Sequence, residues 1–171
     1  WTVPTGVTNP GDVSSFVSSV AGTYSVTITD TTTNCVSASA SSVLTISPLP
    51  TVSVSSSPVC AGNNATVTAT PGSAGTYSYV WTVPVGATNP GNVASFATSV
   101  AGLYSVIMTN TVTNCASASA SATVVINVQP TVTVTSPPVC TGTNATVTAT
   151  PSPAGNYTYA WTFPVGGTNP G

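Results

Sequence analysis

The chain is 171 residues long, carries no Lys, Arg or His, and has Asp12 and Asp30 as its only acids, for a net charge of −2. Neutralising phosphate needs Lys or Arg, so the composition argues against a nucleic-acid partner and against a basic membrane-surface patch. General acid–base catalysis would fall to two carboxylates and six tyrosines, so an enzyme is not expected.

Apolar residues make up 41% of the chain, enough to bury a core, so low charge does not mark disorder here. They come in short alternating runs, none near the roughly 18 consecutive residues of a membrane span. Thr, Ser, Val and Ala dominate, and a branched Cβ favours the pleated surface of a strand. The first residues already read as domain sequence, so no signal peptide is assigned to them.

Trp1-Thr2-Val3-Pro4 returns as Trp81-Thr82-Val83-Pro84 and again as Trp161-Thr162-Phe163-Pro164. Asn9-Pro10-Gly11 returns as Asn89-Pro90-Gly91 and Asn169-Pro170-Gly171. Cys35 maps onto Cys115 and Cys60 onto Cys140. The period is 80 residues without insertion, and roughly two-thirds of the aligned positions are identical. Junctions marked by proline at Pro48-Leu49-Pro50 and Val128-Gln129-Pro130 set the boundaries. Residues 1–50 are the back part of one repeat, 51–130 a complete repeat, and 131–171 the front part of a third. A polypeptide cut in this phase leaves strands unpaired, so a parent polymer that continues in both directions is expected.

Within 51–130 the period-two alternation predicts a first strand at Thr51–Ser55 and, after the turn Ala61-Gly62-Asn63-Asn64, a second at Ala65–Thr70. Strands follow at Tyr77–Val83, Val93–Val100 and Leu103–Thr109, with a short one in the Pro84–Pro90 stretch. Ala116–Val128 closes the repeat, and no segment has helical periodicity. Six or seven short strands imply two antiparallel sheets packed face to face. Val67, Tyr79, Trp81, Phe96, Val106, Val124 and Ile126 are the expected core, with Trp81 on the third strand and Tyr104 at the head of a later one as its markers.

The residues Pro58-Val59-Cys60-Ala61-Gly62, Ala65-Thr66-Val67-Thr68-Ala69-Thr70, Tyr79-Val80-Trp81, Gly102-Leu103-Tyr104-Ser105-Val106 and Asn114-Cys115 resemble the immunoglobulin-like (PKD-like) repeats of very large bacterial surface proteins. Such repeats are similar to those of adhesins and gliding-motility surface proteins of the Bacteroidetes type. The resemblance covers the whole chain and implies an all-β fold of tandem immunoglobulin-like antiparallel β-sandwich repeats. It also implies a location at the cell surface and a role as stalk or spacer. Gly102-Leu103-Tyr104 resembles the tyrosine corner of immunoglobulin-like domains.

Cys35, Cys60, Cys115 and Cys140, two per repeat and without clustered metal ligands, read as disulfide cysteines of an oxidising, extracellular compartment rather than as a zinc site. Pairing Cys60 with Cys115 inside one repeat would close a loop of about 55 residues, worth roughly 4 kcal/mol in the loop-entropy model. In immunoglobulin topology, however, the two lie at opposite poles. Seven strand residues span roughly 23 Å, whereas a disulfide needs Cα atoms within about 7 Å. Geometry leans to a staple across the junction, and the habit of small secreted domains favours pairing within the repeat; both stay open.

Asp12 and Asp30 do not make a calcium site, because they become Asn92 and Asn110 in the next copy and no charged cage repeats. Neither metal nor cofactor is expected; the two acids read as turn residues that bond their own backbone. Asn64, Asn144 and Asn156 begin N-glycosylation patterns, and Thr31 resembles a bacterial O-glycosylation acceptor, although chance matches are frequent in a Thr-rich chain. Tyr77 and Tyr157 are aromatic faces that either stack on a sugar or cap a sandwich edge. The constant period and the lack of a unique site favour a structural region of an extracellular filament or surface stalk. Its partners would be neighbouring repeats, sister chains and surface glycans. The alternative is an adhesive module that presents its loops to a glycan or protein.

Overall fold

A computed structural model describes residues 1–167. The fold is all-β, with several antiparallel sheets and, among the described residues, no helix. In chain order the strands are β1 (Gly22–Val26), β2 (Ala40–Leu44), β3 (Val52–Ser56), β4 (Val59–Cys60), β5 (Ala65–Pro71), β6 (Tyr77–Thr82), β7 (Ser95–Thr98), β8 (Gly102–Asn110), β9 (Ala120–Val124), β10 (Ile126–Asn127), β11 (Thr131–Thr135) and β12 (Thr148–Ser152).

Strands β3 to β10 form one packed body. One sheet has the order β3-β5-β7 and the other β6-β8-β9, and every pairing within them is antiparallel. The alternation that predicts these strands also sorts their faces. On β5, Ala65, Val67 and Ala69 are buried while Thr66 and Thr70 are exposed; on β8, Tyr104, Val106 and Met108 are buried while Leu103 and Ile107 face out. Ala65, Val67 and Ala69 of β5, Tyr104 and Val106 of β8, Trp81 of β6 and Val124 of β9 form a single cluster. Val52, Val54, Tyr79, Phe96 and Ile126 pack on it half-buried. Each fully buried apolar side chain of this size contributes about 1.5–3 kcal/mol, so this cluster is the main support of the body. The arrangement is compatible with a β-sandwich.

The two sheets are tied at an edge by β4 and β10, which pair in parallel through Val59↔Ile126 and Cys60↔Asn127. Val59 N donates to Val125 O at 3.1 Å and Ala61 N to Asn127 O at 2.8 Å. At the other end Gly72 N donates to Thr51 O at 2.8 Å and Thr111 N to Thr76 O at 3.0 Å.

Three expected strands differ. The Pro84–Pro90 stretch is not a strand: Ala87 N donates to Pro84 O at 3.1 Å, closing a turn around Gly86, whose φ is +90°. The Ala116–Val128 segment is broken into an isolated bridge at Ala116 and the short strands β9 and β10. Ser117 causes the first break, because its Oγ accepts from Met108 N at 3.0 Å and takes a ladder position for its side chain. Val93–Val100 is extended only at Ser95–Thr98, where β5 lies alongside.

On either side of this body lie two hairpin-like pairs, β1 with β2 and β11 with β12, both antiparallel. The β11–β12 register, Val132↔Pro151 and Val134↔Ala149, repeats that of β3–β5, Val52↔Pro71 and Val54↔Ala69, 80 residues on.

Candidate functional site

The polar and aromatic framework is built twice from the same residues. Trp81 Nε1 donates to Val93 O at 2.9 Å, and Trp1 Nε1 donates to Val13 O at the same distance. Asn89 Nδ2 donates to Trp81 O at 2.9 Å while its Oδ1 accepts from Gly91 N; Asn9 does the same for Trp1 O and Gly11 N. The asparagine therefore folds the Asn-Pro-Gly loop back onto the tryptophan strand. The aromatic rings follow the same plan: Trp81–Phe96 at 4.9 Å edge-on and Phe96–Tyr104 at 5.7 Å, against Trp1–Phe16 at 5.0 Å and Phe16–Tyr24 at 5.7 Å.

Tyr104 carries a closed relay. Its hydroxyl donates to Val100 O at 2.9 Å and lies 2.8 Å from Thr98 Oγ1, which accepts from Val100 N at 3.2 Å. One phenolic proton serves Val100, so the Thr98 hydroxyl donates to the tyrosine. Tyr24 repeats the pattern with Val20 O at 2.7 Å and Ser18 Oγ at 2.6 Å.

The four cysteines sit in two kinds of turn. Cys60 ends β4 and opens a turn in which Asn63 N donates to Cys60 O at 3.1 Å, with Gly62 at φ +91°. Cys140 does the same with Thr143 N, at the same distance, and Gly142. Cys115 closes the loop that ends β8: its carbonyl accepts from Asn110 N at 2.9 Å, and Asn114, at φ +55°, supplies the left-handed residue that Asn tolerates. Cys35 and Asn34 repeat this geometry at Asp30. All four thiols are unpaired; Cys35, Cys60 and Cys140 are exposed and Cys115 is half-buried.

Cys60 and Cys115 are not brought together. Cys115 follows Asn110, whose partner Tyr77 begins β6, at the end where Thr51 enters. Cys60 pairs with Asn127 at the end where the chain leaves the body. The nine residues of β8 lie between these ends, roughly 26 Å of strand.

Asp30 and Asn110 do the same work with different charge. Asp30 Oδ1 accepts from Thr32 N at 2.8 Å and Thr33 N at 3.3 Å, and these backbone bonds, that from Thr32 first, hold its carboxyl below the ordinary aspartate pKa. Asn110 Oδ1 accepts from Val112 N and Thr113 N at 2.9 and 3.1 Å.

Asn64, Asn144, Asn156 and Thr31 are all exposed in loops. Tyr77 and Tyr157 are half-buried, with their hydroxyls turned to their own loops, Tyr77 to Ser73 O at 3.1 Å and Tyr157 to Pro153 O at 2.7 Å. Asn92, not expected from the sequence, donates shape to β6 through Oδ1, which accepts from Tyr79 N at 2.7 Å. The recurrence of Asn9-Pro10-Gly11 was the signal that marked Asn89; nothing comparable marked Asn92, whose counterpart is Asp12. Asn169, Pro170 and Gly171, the third copy of that motif, lie outside the described residues.

Among the described residues no helix is long and apolar enough to cross a membrane. A scan against protein-family models and a search of curated proteins find no match to this chain.

Proposed function

We propose that this chain is a stretch of the structural repeat region of an extracellular bacterial filament or surface-protein stalk, built from tandem immunoglobulin-like β-sandwich repeats and carrying no catalytic site. The observation that carries this reading is the duplication of the tryptophan, asparagine and tyrosine hydrogen bonds at positions 80 residues apart. A chain that rebuilds one framework at fixed spacing, while its side chains offer no recurring acid or base, is organised for length and stiffness. The junction segments around Pro48–Pro50 and Val128–Pro130 are only a few residues long, which leaves consecutive units little freedom to bend. The absence of Lys and Arg leaves trypsin-like proteases no cleavage site, which suits an exposed fibre.

Imaging of the native assembly by electron microscopy tests the proposal. A linear object with an axial period of roughly 35–40 Å, the size of one compact domain, is expected. Isolated globular particles in the native material would overturn it.

A further inference from the structure

Cys115 Sγ does not point along its own loop alone: it lies 4.0 Å from Ser47 O, a carbonyl of the segment that precedes the packed body, as well as 3.7 Å from Thr113 O. Ser47 is the counterpart, 80 residues earlier, of Asn127. Asn127 is the register partner of Cys60, and its carbonyl accepts from Ala61 N at 2.8 Å. The same carbonyl position is therefore approached from two sides. The Cys60-Ala61 segment reaches it from the unit that is ending, through the Ala61 amide, and a cysteine of the Cys115 kind reaches it from the unit that follows. Within one unit the two cysteines stand at opposite ends of β8; across a junction the same register would set both beside one carbonyl.

We propose that the disulfides of this protein link consecutive units across their junctions, joining a cysteine in the Cys60 or Cys140 position of one unit to a cysteine in the Cys35 or Cys115 position of the next. Each link forms one S–S bond from two thiols. The two electrons and two protons they lose pass to a disulfide oxidant, a small-molecule or protein disulfide, which leaves as two thiols. The turns suit this chemistry: Cys60 and Cys140 are exposed beside a glycine in a left-handed conformation, and Cys115 is held by a loop closed on Asn110. The staple fixes each junction covalently, so that tension along the string is carried by S–S bonds as well as by β4–β10 pairing. No two of the four cysteines in residues 1–171 stand in this relation to each other.

The linkage rests on the tandem order of units proposed above, and the test fixes that order by construction, so failure of the linkage leaves the filament reading standing. Residues 1–160 are fused to a second complete copy, which keeps the 80-residue phase, and the folded chain is oxidised at high dilution with glutathione disulfide. Elastase peptides are then mapped by mass spectrometry without reduction, because the chain has no trypsin site. Sequence differences label the cysteines: Cys60 precedes Ala61, Cys140 precedes Thr141, Cys35 precedes Val36 and Cys115 precedes Ala116. The expected links are Cys60 to Cys35 of the second copy and Cys140 to Cys115 of the second copy, with loss of four of the eight thiols. A link between Cys60 and Cys115, or between Cys140 and Cys35 of the second copy, is pairing within one unit and overturns the proposal. Retention of all eight thiols in the folded, oxidised chain overturns it equally.

Discussion

Met108 and Ile28 occupy the same place in successive copies of the sequence, yet Met108 is fully buried and Ile28 is 70% exposed. Met108 lies on β8 with Tyr79 of β6 on one side and Ser117 on the other, its amide donating to Ser117 Oγ and its carbonyl accepting from Ser117 N. Ile28 lies beyond the end of β1, whose only strand neighbour among the described residues is β2. Burial here is set by the neighbours a position acquires, not by the residue type. Replacing Met108 by Ala should cost about 2–5 kcal/mol, the range for truncating a large buried apolar side chain. Ile28→Ala should stay within about 0.5 kcal/mol, as surface changes do. Urea unfolding followed by the fluorescence of buried Trp81 reads both, and equal shifts in the two variants would contradict the assignment.

The Tyr104 hydroxyl donates to Val100 O from a side chain that is wholly buried. Tyr104→Phe keeps the ring against Phe96 and removes the relay, leaving a carbonyl and the Thr98 hydroxyl short of a partner. The cost is expected to be about 1–3 kcal/mol. Thr98→Val in the Tyr104→Phe background should add less than it does alone, since both act on one network. A double-mutant cycle in urea measures that difference, and simple additivity would show the relay to be two independent contacts.

Much of the packed body was legible in the sequence because alternation is a local property. Val67, Trp81, Val106 and Val124 fall in the core where their spacing puts them, and β3, β5, β6 and β8 begin within one residue of the expected positions. What was not legible depends on a partner. Ser15-Phe16 and Ser95-Phe96 are identical, but only the second pair is in a strand, because β5 lies beside it. Tyr157–Thr162 has the pattern of β6 and no strand, since nothing like β8 stands next to it among the described residues. The β4–β10 pairing is two residues long and parallel, too short for any periodicity to announce. The opposed positions of Cys60 and Cys115 followed from topology once a sandwich was assumed. The approach of Cys115 to Ser47 did not, because it depends on how the segment before Thr51 meets the packed body.

Gly102 enters β8 with φ +140°, and a Cβ built there would lie 2.8 Å from Pro84 Cβ. Gly22 has φ +147° and the same neighbour, Pro4, in the preceding copy. The glycine lets the tyrosine strand pass directly over the proline that ends the tryptophan strand. Gly102→Ala combines backbone strain with a ring that cannot yield, and should destabilise by about 1–3 kcal/mol. Gly62→Ala is the control: its φ of +91° is also unfavourable, but nothing lies within 4 Å of the added methyl. Thermal unfolding should rank Gly102→Ala below Gly62→Ala, and the reverse order would remove the steric part of the argument.

The Asp30 turn carries an acid dependence. Its carboxyl is held below the ordinary aspartate value by the amides of Thr32 and Thr33, so the charged form is favoured in the folded turn. A group whose pKa is lower in the folded state than in the unfolded chain stabilises above the unfolded value, and the effect is lost as pH falls through the folded one. The turn at Asp30 should therefore be firm at neutral pH and loosen in acid below about pH 4. The Asn110 turn accepts the same two amides without a charge and should not respond. Amide chemical shifts of Thr32 and Thr33, titrated from pH 7 to 2, should move with a midpoint below that of a free aspartate, while those of Val112 and Thr113 stay flat. Asp30→Asn should abolish the first titration and keep the turn, because the neighbouring copy already folds with that residue. Loss of the turn in Asp30→Asn would show that the charge, rather than the acceptor oxygen, holds the loop closed.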